Sequence, residues 1–377
     1  MKRLAAALVS IVALGAAPFA AQGQATKSLE IYVIDAEGGK AVLYISPTGQ
    51  TLLIDTGNPG GRDTDRLMAA IADAGVTKID YLISTHYHSD HVGGLEPLSK
   101  RIPIEHFLDH GPTVEGPVTA LREQVAGFQA MYAELSKGKR TVVKPGDRVP
   151  ITGLDVRVVT SAGAVLKTPL TGGGKPNPAC AKYTPPTEPA ANWSTPDDDQ
   201  SVGTVITYGQ FRAIDLGDLL WDRAVQLMCP NNMVGTIDLY VMTGHGTDIT
   251  SASAVTDGIG ARVAVMQNGT RKGGQVAAMQ TLRLAPGFED LWQLHWSYNA
   301  ALEGNSPGLL IANIDEAATI ADVLTAPPRR GGRGPGNAAA AHTPAYWIKV
   351  SARPDGTFTV SNSRNGFSKT YTQRSAR

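Results

Sequence analysis

Only two cysteines, Cys180 and Cys229, occur in 377 residues. Neither lies near a second cysteine, which excludes a Cys-rich zinc module and a disulfide scaffold. They are free to pair in an oxidising compartment or to remain apart, because spacing alone does not supply the geometry. Net charge is missing too: 34 Lys and Arg balance 34 Asp and Glu. A neutral chain has no global field to draw in polyanions, so a tight nucleic-acid binder is not favoured. The basic stretch Arg329-Arg330 with Arg333 is too short to change that. No Gly-rich loop ends in Gly-Lys-Ser/Thr, so phosphate cradling of the P-loop kind has no support.

Beyond residue 19 no long apolar run follows. At the N-terminus, Lys2-Arg3 precedes the apolar run Leu4–Phe19, and small residues offer cleavage after Gly23 or Ala25. Residues 1–25 therefore read as a secretory signal, with the periplasm or cell exterior as destination. A retained N-terminal anchor is the alternative; after processing no membrane span is expected.

What is present reads as alternating strands and helices, enough for one large domain over 26–325. Leu29–Ile34, Ala41–Ile45 and Thr51–Asp55 are β-rich and separated by Gly- and Pro-containing turns, which predicts an antiparallel sheet. Leu67, Met68, Ile71 and Ala74 recur at helical spacing before Gly75. Further helices are expected at 94–100, 117–136, 219–228 and 274–284. Residues 162–196 form a Gly/Pro-rich insertion, read as a wall or lid near a site or as a passive loop. Residues 326–342 have a linker composition. In 343–377, Tyr346–Val350 and Thr357–Val360 flank Pro354-Asp355-Gly356, which predicts a hairpin packing back on the domain.

Three of the eight histidines fall within six residues, His86-Tyr87-His88-Ser89-Asp90-His91. Imidazole and carboxylate at this spacing form a cage for a transition metal. The preceding 78–85 segment reads as a buried strand, so His86 and His88 at i and i+2 point the same way. Gly93-Gly94 then permits a turn that lets Asp90 and His91 face a second ion. Further along come Ile54-Asp55-Thr56-Gly57, Leu216-Gly217-Asp218 and Gly244-His245-Gly246.

In that order these segments resemble the signature of metallo-β-lactamase-fold hydrolases, over roughly residues 28–325. The resemblance implies an α/β architecture, a four-layer αββα sandwich, here with a C-terminal β-hairpin extension. It also implies Zn2+, one or two ions per chain, with Mn2+ as the alternative. His86 and His88 would bind the first ion, Asp90, His91 and His245 the second, and Asp218 would bridge them. Asp55 would hold a ligand loop by hydrogen bonds, or serve only as a turn acid.

The family usually supplies one more histidine before the strand leading to the bridging aspartate. Here Thr195-Pro196-Asp197-Asp198-Asp199-Gln200-Ser201 contains none. Three completions of the first site are open: a carboxylate from Asp197, Asp198 or Asp199, an imidazole from His110, or an open position. An open or carboxylate-completed site is expected to bind its ion less tightly. Asp-Gln-Ser before a strand, then Gly-Asp, then a histidine between glycines resembles the metallo-hydrolase domain of competence-type DNA-uptake proteins. This chain lacks their many membrane helices, so it would be a detached, exported relative.

Divalent ions acidify water and polarise a carbonyl or phosphoryl oxygen. The expected activity is therefore hydrolysis, with Asp90 relaying the proton and His110 and His295 as candidates for substrate contact. A phosphodiester is the favoured substrate class, nucleic acid included but disfavoured by net charge. A β-lactam, lactone or other small-molecule ester is the alternative on the same centre. A non-catalytic protein stabilised by its metal is the competing class.

Overall fold

In the computed structural model, residues 27–115, 119–184, 196–317, 320–321 and 345–374 are described. The expected signal segment 1–25 and linker 326–342 lie outside the described residues. Two nine-stranded sheets stack face to face. The first opens with Leu29–Val33, Val42–Ile45 and Thr51–Ile54, paired antiparallel as the turn signals predict. It continues in parallel through Ile79–Ile83, Ile104–Asp109 and Arg140–Val142. The second sheet runs in parallel through Ile311–Asn313, Asp290–His295, Val263–Met266, Leu239–Val241 and Phe211–Asp215. It then turns antiparallel through Gly203–Tyr208 and Asp155–Ser161.

The layers follow from burial. Ile31, Val42, Leu52 and Ile54 of the first sheet meet Val156, Ile206, Val241 and Trp292 of the second in one apolar core. Strands covered on both faces need no alternation, and Val263–Met266 is buried throughout. Leu67 and Ile71 of helix Arg62–Asp73 and Tyr132 of helix Thr119–Leu135 cover the outer face of the first sheet. Leu227 of helix Trp221–Met228, Ile259 of Ser253–Ile259 and Leu282 of Val276–Arg283 cover the second. The result is the four-layer αββα sandwich. Helix Ser253–Ile259 escaped the sequence reading because it is short and carries Gly258.

The C-terminal segment forms the expected hairpin, Ile348–Ala352 antiparallel to Phe358–Asn362, and adds one strand to it. It supplies three strands, Ile348–Ala352, Phe358–Asn362 and Ser368–Tyr371, and they complete the first sheet. Ile348–Ala352 pairs antiparallel with the N-terminal strand, Leu29 opposite Ala352. Residues Ile348, Val350, Phe358 and Val360 enter the inter-sheet core. The strand at 368–371 was missed because Ser-Lys-Thr-Tyr has little apolar alternation.

Cys180 and Cys229 are disulfide-bonded across 49 residues. The bond ties the described half of the 162–196 insertion to the end of helix Trp221–Met228. Asn177 adds hydrogen bonds to the carbonyls of Met228 (3.3 Å) and Ala254 (2.8 Å). This half braces the helical layer; residues 185–195 lie outside the described residues. Among the described residues no helix is long and apolar enough to cross a membrane.

Candidate metal centre

Three strands from the two sheets deliver the candidate ligands. Ile79–Ile83 runs into the 86–91 loop, Phe211–Asp215 into Asp218, and Leu239–Val241 into His245. The loops interlock. Gly244 N–H donates to the Gly217 carbonyl (3.0 Å), and Thr56 N–H donates to that of His91 (2.7 Å). Gly217 has φ +63°, and a Cβ there would lie 2.9 Å from Thr85 Cβ, so only glycine lets the Asp218 loop approach the histidine loop. His245 itself holds φ +56°, a left-handed conformation that costs about 1–3 kcal/mol in a non-glycine residue and recurs at functional sites.

Two groups of ligand atoms form. Asp90, His91, Asp218 and His245 make one; His86, His88 and Asp198 make the other. In the larger group, Nε2 of His91 and Nε2 of His245 face each other at 3.3 Å. Asp90 Oδ2 lies 3.2 and 3.3 Å from those nitrogens, and Asp218 oxygens lie 3.4 and 3.1 Å away. A tetrahedral ion with bonds of about 2.0–2.1 Å has edges of about 3.3 Å. In the smaller group, His86 Nε2 and His88 Nδ1 are 2.9 Å apart, and Asp198 Oδ1 lies 3.3 and 3.0 Å from them.

The surrounding hydrogen bonds fix which nitrogen of each ring carries a lone pair. His91 Nδ1–H donates to Asp55 Oδ2 (2.8 Å) and His245 Nδ1–H to the Gln267 carbonyl (3.1 Å). His88 Nε2–H donates to Glu115 Oε1 (2.7 Å). Thr85 gives its hydroxyl hydrogen to Asp55 Oδ2 (2.7 Å) and so accepts from His86 Nδ1–H (3.1 Å). Every ring therefore turns inward the nitrogen that would bind an ion, as a lone pair once any proton on it is lost, the arrangement that orients metal-binding imidazoles. Asp218 Oδ1 is buried without a hydrogen-bond donor. Converging acceptors with an orphaned carboxylate oxygen fit divalent cations.

Electrostatics agree. Burial, with His91 and His88 adjoining, pushes His86 well below the usual imidazole range. At His88, burial opposes the charged form, but Asp198 outweighs it and the pKa is pushed up to about 10. At His91, burial is likewise outweighed by Asp218, Asp90 and Asp55, and the pKa rises. Burial would raise Asp218 and Asp90, yet His245 and His91 hold Asp218 low, and Lys272 and His91 hold Asp90 low. The centre carries more negative charge than neutral imidazoles balance; protons or metal ions must make up the difference.

The expected residues fall into place unevenly. His86, His88, Asp90, His91, Asp218 and His245 are brought together. Of the three candidate carboxylates, Asp198 joins His86 and His88. Asp197 turns away and accepts from Tyr87 N–H (2.8 Å) and the Thr113 hydroxyl (2.6 Å). Asp199 lies 3.8 Å from Arg223 Nε instead. Asp218 places its oxygens toward His91 and His245, while His86 and His88 group with Asp198.

His110 and His295 are corrected as substrate contacts. His110 is buried against the Tyr87 ring, 3.6 Å from Asp197. His295 is buried and donates to Asp35 Oδ1 (2.6 Å). A third acid–histidine cluster, Asp35, Glu37 and His295, already contains the Arg66 guanidinium, 2.9 Å from Asp35 and 3.3 Å from Glu37. Sequence reasoning missed Glu115, Thr85 and Lys272. Thr85 adjoins His86 and was readable as its neighbour; Glu115 and Lys272 arrive from distant loops with no local signal.

Four layers with this centre at the strand ends define a metallo-β-lactamase fold. Residues 35–175 match the model of the Metallo-beta-lactamase superfamily. The superfamily is one of metal-dependent hydrolases. The chain is 32% identical over 122 residues to a coenzyme F420H(2) oxidase of Methanothermobacter marburgensis, covering 31% of this chain and 25% of that protein. It is 31% identical over 156 residues to ribonuclease Z of Methanopyrus kandleri, covering 39% of this chain and 50% of that protein. It thus spans a quarter to a half of the length of these curated relatives. Among solved structures, the metallo-beta-lactamase fold protein YhfI from Bacillus subtilis aligns with 13% identity and a TM-score of 0.41, covering 70% of this chain and 96% of that one.

Proposed function

We propose that this protein is an exported metal-dependent hydrolase acting on phosphodiesters. The observation that carries the reading is the convergence of four inward-facing imidazole nitrogens with Asp90, Asp198 and Asp218. His86, His88 and Asp198 would hold one ion; Asp90, His91, His245 and Asp218 would hold another, with zinc the best match to the donor set. Bound there, such ions acidify water and polarise the substrate oxygen. The chain's own contribution is orientation. Asp55 holds His91 and Thr85, Thr85 holds His86, and Glu115 holds His88. Asp90 Oδ2 faces the two imidazoles, which leaves Oδ1 to take the proton of the attacking water.

Likeness to ribonuclease Z and to the competence-type subgroup supports the phosphodiester class. The N-terminal apolar run and a disulfide, which persists in oxidising compartments, support export. Purified protein loaded with zinc, or with manganese, should hydrolyse bis(p-nitrophenyl) phosphate. Turnover should vanish with a chelator and in His88→Ala or Asp218→Ala chains that remain folded by circular dichroism. Turnover of nitrocefin or p-nitrophenyl acetate alone would move the assignment to the ester class. Silence on all three with metals bound would leave a metal-stabilised binding protein. The mature N-terminus of exported protein should follow Gly23 or Ala25.

A further inference from the structure

One cation stands at the centre without being a ligand. Lys272 Nζ meets Asp90 Oδ2, while its side chain remains 45% exposed. The turn that carries it is rigid. Gly269 N–H donates to the Lys272 carbonyl (2.9 Å), and Gly274 N–H donates to that of His245 (2.9 Å). Asn299 clamps the carbonyls of Arg271 (3.0 Å) and Gly273 (2.8 Å). Gly273 has φ +69°, and a Cβ there would lie 2.0 Å from the His245 carbonyl oxygen, so the turn is pressed against a candidate ligand's backbone. On the other side, the loop at Gly38 abuts the Lys272 stem. The neighbouring Arg271 is diverted onto the Tyr298 ring, 5.0 Å from its centroid. A built scaffold therefore aims one ammonium, half in solvent, at the edge of the metal centre.

A buried salt bridge would be an ordinary explanation, but a half-exposed one contributes little to stability. Its partner is also the carboxylate that would bind metal. An ion on Asp90 would weaken its attraction for the ammonium by like-charge repulsion and leave Lys272 available to another anion. The chain is electrically neutral overall, so discrimination in favour of anionic substrates has to be local. Lysine is a point-charge partner for phosphate oxygen.

We propose that Lys272 is the specificity-determining cation of this site: it holds a non-bridging anionic oxygen of the substrate and so selects phosphodiesters over neutral esters. The inference rests on the hydrolase reading above but is separable from it by binding. The test uses the full mature chain as wild type, Lys272→Met and Lys272→Arg, with metal content measured on each preparation. Inorganic phosphate is titrated calorimetrically into each metal-loaded protein. The ratio of kcat/KM for bis(p-nitrophenyl) phosphate to that for p-nitrophenyl acetate is measured in parallel. Loss of a charged hydrogen bond predicts that Lys272→Met weakens phosphate binding and lowers the ratio, each by about 10- to 100-fold. Lys272→Arg should recover most of both. An unchanged phosphate Kd, no phosphate binding by the wild type, or an equal loss on both esters overturns the proposal. If the wild type turns over neither ester, the hydrolase reading fails, and phosphate affinity alone decides whether Lys272 reads anions.

Discussion

Asp197 and Asp198 are adjacent, chemically identical and differently employed. Asp198 faces His86 and His88, whereas Asp197 is buried and anchors the backbone of Tyr87 and the hydroxyl of Thr113. Asp198→Ala should therefore lower metal stoichiometry by about one ion per chain with little loss of fold, measured by plasma mass spectrometry and thermal melting. Asp197→Ala should instead cost about 1–3 kcal/mol, because buried donors lose their acceptor. Asp198→His would restore a third imidazole and should tighten zinc in a competition against a chromogenic chelator. Asp55→Asn should weaken metal binding by about 10- to 100-fold, since Asp55 holds the His91 ring and Thr85 rather than an ion. The ligand histidines were legible from their spacing. The choice among three consecutive aspartates was not, because one turn of 3-10 helix at Asp198–Gln200 points each in a different direction.

At the scale of elements, the C-terminal strands and the disulfide do work that no local pattern announces. A chain ending before Tyr346 would expose the Leu29–Val33 edge and leave Trp292 without Tyr371, whose hydroxyl accepts from its indole (3.0 Å). Such a chain should be recovered mostly as aggregate, while the full chain is soluble under the same conditions, because an unpaired hydrophobic edge strand templates association. The Cys180–Cys229 bond closes a long loop on the helical layer, and that loop carries both Asp198 and Asp218. Replacing both cysteines by serine should lower unfolding stability by about 2–4 kcal/mol in urea titrations. Paired strands and amphipathic helices were readable from period and turn residues. The register of Ile348–Ala352 on Leu29–Val33 was not, since it joins segments more than 300 residues apart.

For the whole molecule, metal and protons compete for one charge balance. In the metal-free protein His88 is pushed up to about 10 by Asp198 and Glu115 against burial. It therefore carries a proton at pH 7.5 that an arriving ion must displace. Zinc binding should release about one proton or more per chain. Calorimetry at fixed pH in buffers of differing ionisation enthalpy would count them. Affinity should rise with pH towards about 10 and fall on acidification; pH-independent affinity would contradict the ligand assignment. The amino-acid sequence by itself determined the chemistry on offer, a histidine–aspartate cluster after a buried strand and the alternation that builds layered sheets, because ligand type and periodicity are local properties. Tertiary structure alone decided that Asp198 completes the first group, that Asp218 sides with His91 and His245, and that Lys272 and Glu115 reach the centre. Those outcomes depend on where separate loops meet in space, which the packing of two sheets fixes.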